Sequence, residues 1–137
     1  MTIEKAMSSK VVTIDEKDTL MNAVRMQKSN KIKHLPVVNQ AGDLVGIVTD
    51  RDLKKASASD ATTLEVHELM YLLDKVKIQG LMTRNVITAD KNTSAKKAAL
   101  LMVEKDIGCL PVLEGKQLVG IVTGTDLLRY FAGLHAD

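Results

Sequence analysis

Two threonines and two aspartates are spaced so that they could hold a sugar phosphate. Thr49 and Asp52 close the run Gly46-Ile47-Val48-Thr49-Asp50-Arg51-Asp52, and Thr123 and Asp126 close Gly120-Ile121-Val122-Thr123-Gly124-Thr125-Asp126. In both places an apolar run ends and a segment able to form a helix begins. The first N–H groups of a helix are unpaired and its dipole is positive there, so a phosphate is favoured at that position. A Thr at the junction can cap the helix or turn its hydroxyl to a phosphate oxygen. An Asp one turn later presents two acceptor oxygens to a vicinal diol such as the two ribose hydroxyls. The glycine ahead of the apolar pair predicts a close approach of ligand to backbone. Thr-x-x-Asp is also nearly an ordinary capping box, with Asp for the more usual Glu or Gln. Its appearance twice, each time after Gly-Ile-Val and a Leu-Pro-Val run, favours the ligand reading.

The motif recurs because the chain is duplicated, and self-similarity at a fixed period is the first thing to seek in a sequence. At an offset of 75, Ile3 and Met7 match Ile78 and Met82, Val11-Val12-Thr13 matches Val86-Ile87-Thr88, and Leu35-Pro36-Val37 matches Leu110-Pro111-Val112. After one loop residue is lost, the offset becomes 74 and Leu44-Val45-Gly46-Ile47-Val48-Thr49 returns as Leu118-Val119-Gly120-Ile121-Val122-Thr123.

Each copy reads as strand, helix, strand, strand, helix. The first strand is expected over 11–14 and 86–89. Asp18 or Thr19, and Thr93 or Ser94, are the expected caps of the first helix, which buries Leu20, Ala23 and Val24, or Ala98, Leu101 and Met102. Two strands follow over 35–38 and 44–48, and over 110–113 and 118–122, each pair joined by a polar turn with Gly. These strands are almost continuously apolar and should be covered on both faces. The closing helix is expected over 50–56 and 125–132. Residues 1–58 and 77–137 are then the two repeats. The linker, 59–76, carries a helix over 63–73 with Val66, Leu69, Met70 and Leu73 on one face. The fold class is α/β (α+β), with the two repeats paired about a pseudo-twofold axis.

Composition narrows the function. The chain has 137 residues, 45% apolar but only 2% aromatic, so its core is aliphatic and it lacks the platforms a base-stacking binder of single strands needs. Net charge is +2, with Lys and Arg scattered among Asp and Glu, which argues against a nucleic-acid or membrane-surface partner. No segment approaches the ~20 apolar residues that span a bilayer. A cytoplasmic location is expected. The single cysteine, Cys109, has no partner for an internal disulfide or a metal cluster and reads as a small buried hydrophobe. No metal ligands are assigned. His67-Glu68 lacks the second histidine of a zinc-protease helix, since position 71 is Tyr. Met7, Met70, Met82 and Met102 read as core. Asn92-Thr93-Ser94 matches a glycosylation sequon that a cytoplasmic chain would not use. No phosphate loop and no nucleophile with an evident base is present, so no catalytic residues are assigned and the chain reads as a non-enzyme; phosphohydrolase activity is the enzymatic alternative.

The Leu-Pro-Val strand and the Gly-Ile-Val-Thr-x-x-Asp end, in order and duplicated, resemble a tandem pair of cystathionine-β-synthase (CBS) domains, the Bateman module, over 3–56 and 78–132. The linker with His67-Glu68-Leu69 is similar to the CBS region of acetoin-utilisation-type proteins. The resemblance implies a regulatory module that binds an adenine nucleotide (AMP, ADP or ATP) or another adenosyl ligand, with no cofactor required. It implies that Asp holds the ribose and Thr the phosphate. One site would comprise Thr49, Arg51 and Asp52 with Val86, Ile87, Gly108, Cys109 and Leu110. The other would comprise Thr123 and Asp126 with Val11, Val12, Lys33, His34 and Leu35. It further implies a homodimer and a regulated partner protein. The sites should differ: Arg51 can fork onto a phosphate, whereas Gly124-Thr125 carries no charge and that site would draw on Lys10, Lys33 or His34. Two alternatives stand beside this: a dimerisation module with unused pockets, and a sensor of S-adenosylmethionine or an NAD-type ligand.

Overall fold

The computed structural model describes residues 2–61 and 73–134, with backbone alone over 57–61. The linker helix expected over 63–73, and His67 and Met70 with it, fall almost wholly outside the described residues.

The chain forms two compact units, and each is stitched from both repeats. One is Val12–Val86; the other is Met1–Val11 together with Ile87–Asp137. The first contains β1 (Ile14–Asp15), α1 (Leu20–Asn30), β2 (His34–Val38), β3 (Leu44–Thr49) and α2 (Asp50–Ala61). The second contains β4 (Ala89–Asp90), α3 (Ala95–Lys105), β5 (Cys109–Glu114), β6 (Gln117–Thr123) and α4 (Gly124–Phe131). Each has a three-stranded sheet in sequence order, with the first strand parallel to the second and the second antiparallel to the third.

The first strands are shorter than the 11–14 and 86–89 expected, and proline explains it. Ile14 pairs with Val37 and Asp15 with Val38, and Glu16 N donates to the Val38 carbonyl. Val38 therefore turns its polar groups toward β1, and so does Pro36, two residues earlier. Pro36 has no N–H to offer a strand alongside it, so pairing stops at Ile14. Pro111 in β5 has the same effect on β4. Thr19 caps α1 by accepting from Asn22 N at 3.2 Å, and Ser94 caps α3 by accepting from Lys97 N at 3.1 Å. Helix α2 runs on to Ala61, past the expected end at 56.

Both cores are aliphatic but for Tyr130, in keeping with the composition. In one, Leu20, Ala23, Leu35, Val37, Val48, Leu53 and Ile78 pack together; in the other, Ile3, Ala98, Leu110, Val112, Val122, Leu127 and Tyr130 do so. Ile3 and Ile78 are each fully buried, and each packs in the core built by the other repeat. Burying such a side chain contributes roughly 2–3 kcal/mol. Backbone bonds secure the exchange. Ile47 and Thr83 trade N–H···O bonds at 3.0 and 2.9 Å along the outer edge of β3, and Ser8 and Ile121 trade them at 2.9 and 3.0 Å along β6.

Candidate functional site

The strand-to-helix junctions are the centre of interest, and the two are nearly identical. At the first, Thr49 N donates to Asp52 Oδ2 at 3.0 Å and Asp52 N donates to Thr49 Oγ1 at 3.2 Å. At the second, Thr123 N donates to Asp126 Oδ2 at 2.9 Å and Asp126 N donates to Thr123 Oγ1 at 3.1 Å. Both are complete capping boxes. Capping and ligand binding are compatible, because the box consumes only part of each side chain. Each threonine hydroxyl accepts, leaving its O–H free to donate. Each aspartate spends one oxygen; among the described residues Oδ1 of Asp52 and of Asp126 accepts no hydrogen bond. All four side chains are half-buried. The box therefore holds the carboxylate in a fixed orientation with one oxygen open, which lowers the ordering cost of binding a diol.

The glycines behave differently from the sequence expectation. A Cβ on Gly46 would lie 2.6 Å from Met82 Sδ, 2.8 Å from its Cγ and 3.0 Å from the Thr83 carbonyl oxygen. A Cβ on Gly120 would collide with Met7 and lie 3.0 Å from the Ser8 carbonyl oxygen. The room expected for ligand is taken by a methionine from the segment that the other repeat contributes. Gly46 and Gly120 are packing residues.

Beside each junction lies the start of the same repeat's Pro-Val strand. Asp50 N donates to the Lys33 carbonyl at 2.8 Å and His34 pairs with Thr49; Gly124 N donates to the Gly108 carbonyl at 3.1 Å and Cys109 pairs with Thr123. Sequence reasoning missed this same-repeat adjacency, although the hairpin register would have revealed it. Val86 belongs to the unit of Thr49, Arg51 and Asp52, and Val11 to that of Thr123 and Asp126. Ile87, Gly108, Cys109 and Leu110 lie in the second unit, and Val12, Lys33, His34 and Leu35 in the first. Arg51 and Lys33 are exposed, Leu35 and Leu110 fully buried, and Val11, Val12, Val86 and Ile87 half-buried. A fully buried leucine can contribute its backbone to a ligand but not its side chain.

Electrostatics separate the two junctions further. Burial pushes the His34 imidazole below its ordinary value, aided by Lys33 and opposed by Asp50. Burial pushes the Cys109 thiol up to about 12, so it is protonated and not a nucleophile at neutral pH. Among the described residues no group of His, Cys, Asp and Glu could hold a metal ion, and no helix is long and apolar enough to cross a membrane.

Residues 3–59 and 78–133 each match the CBS domain family model. The chain belongs to the CBS-domain family. Protein MJ1404 of Methanocaldococcus jannaschii is 36% identical over 137 residues, covering 96% of this chain and 32% of that protein, so the chain spans about a third of that relative's length. The crystallised CBS domain pair of protein MJ0100, in complex with 5-methylthioadenosine and S-adenosyl-L-methionine, is 32% identical, with a TM-score of 0.82 and 97% of each chain covered. An acetoin utilization protein (AcuB) structure from Vibrio cholerae is 28% identical, with a TM-score of 0.80, covering 98% of this CBS pair and 92% of that chain.

Proposed function

We propose that this CBS pair is a regulatory module whose two capping boxes each hold the ribose of an adenosyl ligand. The observation that carries the reading is the aspartate oxygen left open by each box, beside a threonine hydroxyl with its proton free, at a strand-to-helix junction written twice. A related CBS pair carries adenosyl ligands in its crystals, which supports the ligand class. Thr49, Asp52 and the Arg51 guanidinium form the junction suited to a phosphorylated ligand, AMP, ADP or ATP. Gly124 and Thr125 bring no charge to Thr123 and Asp126, so that junction relies on Lys33 and His34 for a phosphate; S-adenosylmethionine, which has none, is the second reading, supported by the ligands of the related pair. The residues assigned to each clamp by family resemblance, Val86, Ile87, Gly108, Cys109 and Leu110 for one and Val11, Val12, Lys33, His34 and Leu35 for the other, are part of the proposal.

The module is non-catalytic in this reading, works in the cytoplasm as a homodimer, and passes the state of its ligand to a partner protein. A ligand shifts that equilibrium only through its differential affinity for the two states. A thermal-shift and calorimetric screen of AMP, ADP, ATP, NAD(H), 5-methylthioadenosine and S-adenosylmethionine tests it. Saturable heat and a rise in melting temperature with at least one of them is the expected result. No heat and no shift with any of them at millimolar concentration overturns the sensor reading and leaves the dimerisation module.

A further inference from the structure

The two junctions share their capping boxes and differ in the charge beside them. In the first repeat Lys33 and His34 stand at the start of β2, and Asp50, Arg51 and Lys54 lie in the first turns of α2. Their counterparts in the second repeat are Gly108, Cys109, Gly124, Thr125 and Leu128, none of them charged. His34 is the one whose charge changes near neutral pH. It pairs with Thr49 across the β2–β3 ladder, so the two side chains lie side by side on one face of the sheet. From α2 the charge that acts on its ring is Asp50, which also meets Lys54 Nζ at 3.6 Å. From its own strand it is Lys33, and α1 contributes the neutral Gln27, whose Nε2 donates to the Lys33 carbonyl at 3.4 Å. Burial outweighs Asp50 and holds the imidazole below its ordinary 6.5, so in the free chain the ring is neutral at neutral pH. Cys109 pairs with Thr123 in the same register, and its thiol, pushed up to about 12, keeps its proton throughout that range.

We propose that His34 is a specificity-determining residue of the Thr49 junction: it takes up a proton when a phosphorylated adenosyl ligand binds there, so that falling pH favours ligands with a 5′-phosphate over ligands without one. The inference rests on the ribose-clamp reading above. That reading lends His34 to the ligand of Thr123 and Asp126, whereas the hairpin register gives it Thr49 as its neighbour within its own unit. Cross-strand neighbours have Cβ atoms about 5 Å apart, so a phosphate on the Thr49 hydroxyl would lie on the order of 6–8 Å from the imidazole. At the effective permittivity of a protein surface, one negative charge at that distance favours the protonated ring about tenfold or more. The coupling is reciprocal, so the protonated ring strengthens phosphate binding by the same factor. Affinity for a phosphate therefore rises as pH falls from neutrality through 6.5, and levels off once the ring of the free chain is itself protonated.

Calorimetry of the full chain tests this with two ligands. Adenosine 5′-methylphosphate is a phosphodiester whose charge is fixed across the range, and 5′-methylthioadenosine has no phosphate. Titrations run at about pH 5.5, 6.5 and 7.5, bracketing the ordinary histidine value, in buffers of high and low ionisation heat. The phosphodiester should meet a class of sites that binds about tenfold more tightly at the lowest pH than at the highest, with an uptake of about half a proton or more per ligand at the middle one. The thioether should keep its affinity within a few-fold and take up none. Asp52→Ala should abolish the proton-linked class of sites, and Asp126→Ala any class that is independent of pH. His34→Gln should make phosphodiester affinity independent of pH. Should that variant misfold, NMR of the three histidines in the unmutated chain reads the same ring, with His67→Gln and His135→Gln for assignment. The His34 resonance should titrate at higher pH with the phosphodiester than without it. No binding of either ligand overturns the clamp reading and this inference together. Phosphodiester binding with a flat pH profile and no proton uptake, or uptake that Asp126→Ala abolishes and Asp52→Ala does not, keeps the clamps and overturns the role of His34 at Thr49.

Discussion

Replacing Gly46 by alanine isolates the packing of the methionine against the sheet. The added methyl would sit 2.6 Å from Met82 Sδ and 3.0 Å from the Thr83 carbonyl oxygen. The thioether can swing aside, but it is packed in the core at 8% exposure. The carbonyl accepts from Ile47 N while Thr83 N donates back to the Ile47 carbonyl, so it cannot yield without breaking the edge of the sheet. Overpacking of this kind costs about 1–3 kcal/mol, offset in part by the ~0.5–1 kcal/mol that alanine gains over glycine in backbone entropy. A net loss of about 1 kcal/mol is expected, against the roughly 5–15 kcal/mol of a typical domain. Met82→Ala alone should cost about 2–5 kcal/mol through its cavity. The double variant should be more stable than the sum of the two by about 1–2 kcal/mol, since the second change removes the first one's obstacle. Urea unfolding followed by circular dichroism measures all four corners of the cycle. Additive penalties would refute the claim that Met82 occupies the space above Gly46. An unchanged Gly46→Ala stability combined with lost ligand binding would restore the glycine as a ligand-approach residue.

Asp52→Ala and Asp126→Ala should each abolish one class of binding site in a calorimetric titration and cost about 1 kcal/mol of stability through the lost cap, while a double variant that binds like wild type would refute the clamp assignment. His34 has a folded pKa lowered by burial, so the unfolded chain binds more protons as pH falls below the ordinary value of 6.5. Stability should therefore be fully present above that value and decline as pH drops through it toward the folded pKa. His34→Gln should flatten this decline in urea midpoints measured between about pH 8 and 5, a range bracketing the ordinary histidine value. Cys109, held at about 12 against an ordinary 9.0, should carry about a thousandfold less thiolate than a free cysteine and resist alkylation in the native chain, yet react at once in urea; fast native alkylation at neutral pH would contradict its burial.

The order of elements and the caps were legible in the sequence because each depends on neighbours a few residues apart, and the duplication because the two halves match position by position. Thr19 and Ser94 cap where the pattern put them, and the Leu-Pro-Val and Gly-Ile-Val-Thr strands expected on either side of a polar turn do form, paired antiparallel. The Thr-x-x-Asp clamp was visible as a candidate, together with its rival reading as a capping box. Only the geometry could show that the box leaves one carboxylate oxygen open, so that the two readings coexist. The short first strands were misjudged because the proline that stops them is more than twenty residues away, and only the parallel register sets it opposite Thr13.

The destination of the opening segments was beyond the sequence altogether. Ile3 and Ile78 are equivalent residues ahead of equivalent strands, and either would fit either core. The same duplication that made the fold readable made the two pairings indistinguishable by local pattern. Tertiary packing decided between them: Met1–Val11 joins the unit of the second repeat, and the segment ending at Val86 joins that of the first. With those segments come the methionines that fill the space above Gly46 and Gly120, which is why two glycines that looked like ligand contacts in the sequence are packing residues in the fold.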